Sequence, residues 1–211
     1  FLISWAKHAL DVVYPAKCGL CDLLGEEPIC SICLASFERF EQPIHEAYGT
    51  STLDRWAAVF RYEDRAGQAV RDLKYSRSTW IAGPMAQMLA EAAQELGLLE
   101  VDLIIPVPIH WTRFCTRGFN QAELLCEQLP REMVRRGLLF RTRATRPQVG
   151  LDPEIRTQNL RGAFMALPEV KGRRVLLVDD VLTTGHTARE CASALKRAGA
   201  AEVWALAFAG G

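Results

Sequence analysis

Lysine is scarce in this chain: only five of its 25 basic residues are Lys, and 20 are Arg. Arg is the side chain whose planar fork grips phosphate and carboxylate bidentately, so the imbalance points to anions. Net charge is missing as well. The 25 Lys+Arg are matched by 25 Asp+Glu, which excludes a strongly basic protein that coats nucleic acid indiscriminately. No stretch approaches the ~18 to 20 consecutive apolar residues of a membrane-spanning helix. Neither a G-x-G-x-x-G nor a G-x-x-x-x-G-K-[ST] run occurs, so dinucleotide and P-loop readings lack their glycines and lysine. No Ser/His/Asp or Cys/His arrangement suggests a nucleophilic catalyst, and no repeat or low-complexity tract is present. What remains is a globular composition, 49% hydrophobic and 24% charged over 211 residues. That length builds one ordinary domain plus a small attachment, with a core that needs no disulfides.

The opening FLISWAKHALDVVYP is apolar, but Lys7, His8 and Asp11 interrupt it and no small-residue cleavage site follows. It is not read as a signal peptide. Its periodicity predicts a short helix ended by Pro15, with Leu2, Trp5, Ala6, Ala9, Leu10 and Val13 on one face. Packing of that face on the domain behind it is expected; lipid or a partner is the alternative. Four of the seven cysteines follow at once, as Cys18-x2-Cys21 and Cys30-x2-Cys33. Cys115, Cys126 and Cys191 are scattered. An odd total without a secretion signal is expected of a reducing cytoplasm, where clustered thiols hold metal more often than they form disulfides. Two Cys-x2-Cys corners supply four soft sulfurs for one tetrahedral Zn²⁺, and a closed four-sulfur site stabilises rather than catalyses. Residues 1–50 therefore read as a small metal-stapled module and 51–211 as a second domain.

From about residue 55 strands and helices alternate. Ala57 to Tyr62 reads as a strand, Ala66 to Leu73 and Gly83 to Leu96 as helices, and DLIIPVP as a buried strand. Phe119 to Arg136 reads as helix limited by Pro130, followed by a long polar segment to Gly162. RVLLVDD is another buried strand, Thr187 to Ala198 a helix, and EVWALAFA a final strand. Continuous apolar strands alternating with helices predict an α/β fold with a parallel sheet covered on both faces.

The most informative run is Val175 to Thr187, VLLVDDVLTTGHT. Two carboxylates emerge at the carboxyl end of a strand, where ligands bind in open α/β sheets. Thr183, Thr184, Gly185 and Thr187 then make a hydroxyl-rich turn into a helix, a site suited to a phosphate monoester. Glycine at 185 is expected because a Cβ would obstruct close backbone approach. Asp179 and Asp180 alone read equally well as helix caps. In the whole run, acids beside a phosphate site suit sugar hydroxyls or a divalent cation met at one remove, and the ligand drawn is a ribose 5-phosphate.

VLLVDDVLTTGHT resembles the phosphoribosyl pyrophosphate (PRPP) signature of type I phosphoribosyltransferases. Around it, PVPIHWTRFCTRGFNQAELL, TRPQVGL and RTQNLRGAF resemble the competence-associated ComF/GntX family, whose architecture sets a cysteine knuckle ahead of a phosphoribosyltransferase domain. Members often carry a further Cys-x2-Cys pair; residues 41 to 55 here have none, which leaves one zinc site. The resemblance implies a type I phosphoribosyltransferase-like fold and a biological setting in DNA uptake and natural transformation. It implies that Asp179 and Asp180 hold the ribose hydroxyls and that Thr183, Thr184, Gly185, His186 and Thr187 hold the 5-phosphate. The loop from Val107 and Pro108 to Arg113 would face the pyrophosphate, with Arg117, Gly118, Phe119, Asn120 and Gln121 opening the next helix, where amides and an Arg again suit an anion. Gln148, Arg156 and Asn159, in a flap that closes over PRPP, would touch ligand, and Lys74 would reach the pyrophosphate. Taken by themselves, Pro108 can simply shape a turn, and Arg117 and Asn120 can simply cap a helix. The reaction implied is Mg²⁺-dependent displacement of pyrophosphate, a glycosyltransferase-class step.

From Trp111 to Gly162 the chain has ten Arg, no Lys and five acids. A solvated surface is one reading of this strip. A functional lid is another, since long connections in compact domains are often lids. It could also track single-stranded DNA, with Trp111, Phe114 and Phe119 as stacking rings. Two functions follow: an enzyme transferring a phosphoribosyl group, or a non-catalytic nucleotide-sensing or single-strand-handling module serving DNA-uptake proteins. Oligomeric state and acceptor are not legible.

Overall fold

The computed structural model describes residues 16–25, 27–41, 44–46, 52–76, 78–143 and 162–211. The N-terminal helix expected before Pro15 and the sites at Gln148, Arg156 and Asn159 lie outside the described residues. Seven strands are described: β1 (Ile44–Glu46), β2 (Arg55–Arg61), β3 (Leu103–Pro106), β4 (Leu139–Arg141), β5 (Phe164–Ala166), β6 (Arg174–Leu182) and β7 (Glu202–Gly210). The helices are α1 (Ser31–Ala35), α2 (Asp64–Tyr75), α3 (Ala82–Glu95), α4 (Trp111–Arg117), α5 (Gln121–Leu125) and α6 (His186–Arg197).

The main sheet has the order β1-β2-β7-β6-β3. Its central pairs are parallel and its edge strand β1 is antiparallel to β2. Because β6 is buried on both faces, its apolar residues run continuously and alternate between two cores. Leu176 and Val178 meet the core on one face, among residues of α2, α3 and the cysteine knuckle. Val175 and Leu177 meet the other, formed with α6 and the β4–β5 hairpin. Cys18, Leu20, Ile29, Cys33 and Phe37 belong to the first core together with Phe60 and Phe208. Phe37 packs edge-on against both rings, with centroids 5.2 and 6.0 Å away.

Three expectations about elements need correction. The helix expected over Phe119 to Arg136 is confined to Gln121–Leu125. Beyond Pro130 the chain instead covers the free edge of β3: Ile104 N–H donates to Met133 O at 2.9 Å and Arg135 N–H to Ile104 O at 2.8 Å. An exposed strand edge asks for such partners, and this demand overrides local helix preference. The loop expected through Arg113 ends at His110, where α4 begins, because the His110 ring accepts from the Thr112 N–H. The polar segment after Gly137 opens in β4, which pairs antiparallel with β5 from the far end of that segment.

Candidate functional site

β6 carries the two aspartates and runs past them to Leu182, because β7 stays alongside: Asp179 registers with Ala207 and Leu182 with Gly210. β3 stops earlier, at Pro106 opposite Val178. The edge of β6 is thereby left open beyond Val178, and a cleft forms at the carboxyl ends of the strands, as expected for this sheet type. Strand alternation sends the two carboxylates to opposite faces. Asp180 turns toward α2, where Lys74 Nζ lies 2.8 Å from its Oδ1, with both side chains largely buried. Asp179 turns toward α6 and the hairpin, into the fields of Arg141 and Cys191.

Each carboxylate thus has a cation on its own side, but the pair still repels. Burial, and next the charge of Asp180, push the Asp179 carboxyl up to about 7, against the pull of Lys74 and Arg141. Its Oδ1 accepts the Asp180 N–H at 2.9 Å. For Lys74, burial works against the charge, yet the two aspartates prevail and hold its pKa above the ordinary value. Arg141 is pushed down to about 10 by burial and by the nearby Arg113. Arg117 is lowered by burial and stacks 5.7 Å from the Tyr75 ring centroid.

The cleft is a cavity of about 560 Å³. Asp179, Asp180 and all of residues 183–187 line one wall, and Lys74, Val107, Pro108, Arg113, Arg117 and Asn120 line the others. These sequence-derived candidates therefore meet at one place. Thr183 and Thr184 are exposed, while Gly185, His186 and Thr187 are half-buried. Gly185 sits at the N-terminus of α6 with φ +69° and no side chain capping it. Among the described residues a Cβ there would meet the Arg189 guanidinium, at 3.5 Å, so it is the left-handed backbone, not their crowding, that demands glycine. Lys74, expected at the pyrophosphate, spends its ammonium on Asp180 while still lining the cavity. Asn120 does cap α5, accepting from the Ala122 N–H at 3.1 Å, and its Nδ2 donates to Val107 O at 3.1 Å. It holds the Val107–Ile109 turn in place.

Two further residues line the cavity: Gln121, which the sequence sets at the opening of the helix after Arg117, and Arg141. Arg141 was one of many in the Arg-rich strip, and only the hairpin pairing brings it to the cavity. Phe119, considered as a stacking ring, is instead half-buried against the first core. Trp111 and Phe114 are exposed, 67% and 48%.

A second centre lies at the knuckle. The sulfurs of Cys18, Cys21, Cys30 and Cys33 all lie within 4.8 Å of one another. Cys18–Cys33 and Cys21–Cys30 are 3.8 and 3.7 Å apart, far beyond a disulfide bond. They match the ~3.8 Å edge of a sulfur tetrahedron with ~2.3 Å metal–sulfur bonds. Burial pushes the Cys18 thiol up, but N–H groups of Cys30, Leu20 and Cys21 outweigh it and bring it down to about 6. Burial and the neighbouring sulfurs push Cys33 up to about 12. These four residues can hold a metal ion. The knuckle is clamped to the fold: Arg65 Nη1 and Gln68 Nε2 of α2 donate to Leu20 O at 2.7 and 2.9 Å. A Cβ on Gly19 would fall 2.5 Å from Ile81 Cγ2. Among the described residues, no helix is long and apolar enough to cross a membrane.

The chain is similar to several known proteins. A family model described as a phosphoribosyl transferase domain matches residues 121–210. DNA utilization protein YhgH of Escherichia coli O6:H1 is 34% identical over 220 residues, covering 91% of this chain and 96% of its own. Competence protein F of Haemophilus influenzae is 32% identical over 221 residues, covering 96% of each. A solved structure titled glutamine phosphoribosylpyrophosphate amidotransferase, from B. subtilis, is 24% identical with a TM-score of 0.40. That match covers 61% of this chain and 26% of the other. On the identity and extent of these curated relatives, the chain belongs to the ComF/GntX family, that of competence protein F and DNA utilization protein YhgH.

Proposed function

We propose that this protein binds PRPP or a closely related phosphoribosyl diphosphate and uses it in the cytoplasm, in the service of DNA uptake or utilization. The observation that carries the reading is the convergence on one cavity of the twin aspartates, the Thr183–Thr187 turn and four cations, Lys74, Arg113, Arg117 and Arg141. Its volume, about 560 Å³, suits a nucleotide-sized ligand. Four cations against two carboxylates favour a polyanion. In this reading the 5-phosphate sits on the α6 N-terminus, where the first amide groups lack helical partners. The ribose hydroxyls donate to Asp179 and Asp180, and the diphosphate lies toward Arg113, Arg117 and the Val107–Ile109 turn.

The chemistry that suits these residues is electrostatic. Bond breaking at the anomeric carbon builds positive charge on the sugar and negative charge on the leaving diphosphate. The carboxylates face the first and the guanidiniums the second. A Mg²⁺ ion brought in by the diphosphate would add charge neutralisation. Asp180 is engaged by Lys74, so the protein offers the cation little of its own. At the knuckle the ion proposed is Zn²⁺ on Cys18, Cys21, Cys30 and Cys33. Its role is to staple the 1–50 module, which we read as separate in function from the 51–211 ligand-binding domain.

A second reading, a single-strand-handling module without catalysis, is favoured by the exposed Trp111 and Phe114 beside Arg113 and Arg117 on α4. Titration calorimetry with PRPP and Mg²⁺ tests the pocket: Asp179→Asn/Asp180→Asn should abolish the heat seen for the parent. An unchanged titration would remove the phosphosugar reading. Pyrophosphate release with candidate acceptors separates the two readings, and tight PRPP binding without release favours the module. Filter binding of single-stranded DNA across salt concentration should fall steeply if Arg contacts phosphates.

A further inference from the structure

Gln121 opens α5 and is 2% exposed, yet it lines the cavity. Its Nε2 has no hydrogen-bond partner among the described residues. The neighbouring side chains are already committed. Asn120 bonds Ala122 N and Val107 O, and Lys74 holds Asp180. Asn120 also ties the start of α5 to the Val107–Ile109 turn, so Gln121 is anchored beside that wall of the cavity. A buried amide donor left without an acceptor is costly, and folded proteins retain few of them. Such a donor is tolerated where a ligand completes it. Three guanidiniums and the Lys74 ammonium share the cavity with two carboxylates, so the acceptor that arrives belongs to an anion rich in oxygen.

Resting on the phosphoribosyl reading above, we propose that Gln121 Nε2 donates a hydrogen bond to a non-bridging oxygen of the ligand's diphosphate. It is a specificity residue for that end of the molecule and does not read the sugar or the 5-phosphate. A neutral amide suits this place: it adds a directed donor without adding a fifth cation to a cavity where burial, and then Arg113, already depress Arg141 and Arg117.

The test is calorimetry of the parent, Gln121→Met and Gln121→Glu with PRPP, pyrophosphate and ribose 5-phosphate, each with Mg²⁺, together with ligand-free thermal melts. Gln121→Met should weaken PRPP and pyrophosphate roughly tenfold to a hundredfold, the range for a hydrogen bond to a charged group. Ribose 5-phosphate should stay within about twofold of the parent, since it lacks the partner oxygen. The ligand-free melting midpoint should rise by about 2 to 4 °C, because the unsatisfied donor is gone. Gln121→Glu should lose more, as a carboxylate cannot donate and repels the anion. Equal weakening of all three ligands, no weakening, a lowered midpoint for Gln121→Met, or tighter binding by Gln121→Glu would each overturn the assignment. A parent that binds none of the three overturns the phosphoribosyl reading and this assignment together, a result visible without any variant.

Discussion

Replacing Asp179 by Asn should make the protein more stable while it loses its ligand. The Asp179 carboxyl is pushed up to about 7 from an ordinary value of 3.8, by burial first and by Asp180 next. Between those two values the folded protein holds a proton that the unfolded chain has released. Stability therefore falls as pH rises from about 4 to about 7 and stays reduced above that, by the linkage between proton binding and folding. At ~1.4 kcal/mol per pKa unit the ceiling is on the order of 4 kcal/mol. Asp179 is half-buried and its charge is shared with its neighbour, so about 1 to 2 kcal/mol is the working expectation. Asn preserves the shape and can still accept the Asp180 N–H through its carbonyl oxygen. The assay is urea unfolding followed by tryptophan fluorescence from pH 5.5 to 8.5, at constant ionic strength and saturating zinc. Asp179→Asn should already be the more stable at pH 5.5, and its lead should widen up to about pH 7 and persist at pH 8.5. PRPP affinity should drop in the same variant, the signature of a residue kept for function against stability. A variant that is less stable at pH 8.5, or a gap that does not widen with pH, would refute the reasoning.

Lys74→Met should destabilise by about 3 to 5 kcal/mol, because it strands a buried carboxylate; the double variant Lys74→Met/Asp180→Asn should recover much of that loss in the same urea assay. Elemental analysis should find one zinc per chain. Chelation should lower the melting midpoint and change the fluorescence of Trp80, whose indole borders Gly19 in the knuckle; a metal-free protein with an unchanged melt would end the structural role. Gly185→Ala should cost about 1 kcal/mol, from the left-handed backbone at φ +69°, and should weaken ribose 5-phosphate binding measured by calorimetry. Asn120→Ala should cost about 1 to 2 kcal/mol as the cap is lost, and should weaken pyrophosphate more than ribose 5-phosphate as the Val107 tether goes.

Some features were legible because their causes are local. The buried strand through Leu176 and Val178 shows as an unbroken apolar run, the turn at Gly185 as hydroxyls around a glycine, and the knuckle as two short cysteine spacings. The extent of β6 was not legible, since Val181 and Leu182 remain strand only because β7 runs beside them. Nor was the end of α5, which yields to the need of β3 for an edge partner. The start of α4 was not legible either, since the His110 ring sets it by accepting from the Thr112 N–H.

The amino-acid order by itself determined which chemistry this chain carries: four thiols at metal spacing, and two acids leading into a phosphate-type turn. Backbone dihedrals and ligand spacings depend on residues only a few positions apart. Which cation answers which acid was decided by the tertiary structure alone. The pleat turns Asp179 and Asp180 to opposite faces of β6, and α2 brings Lys74 to one while the β4–β5 hairpin brings Arg141 to the other. The energies of charges depend on separations through space, which the order of residues does not contain.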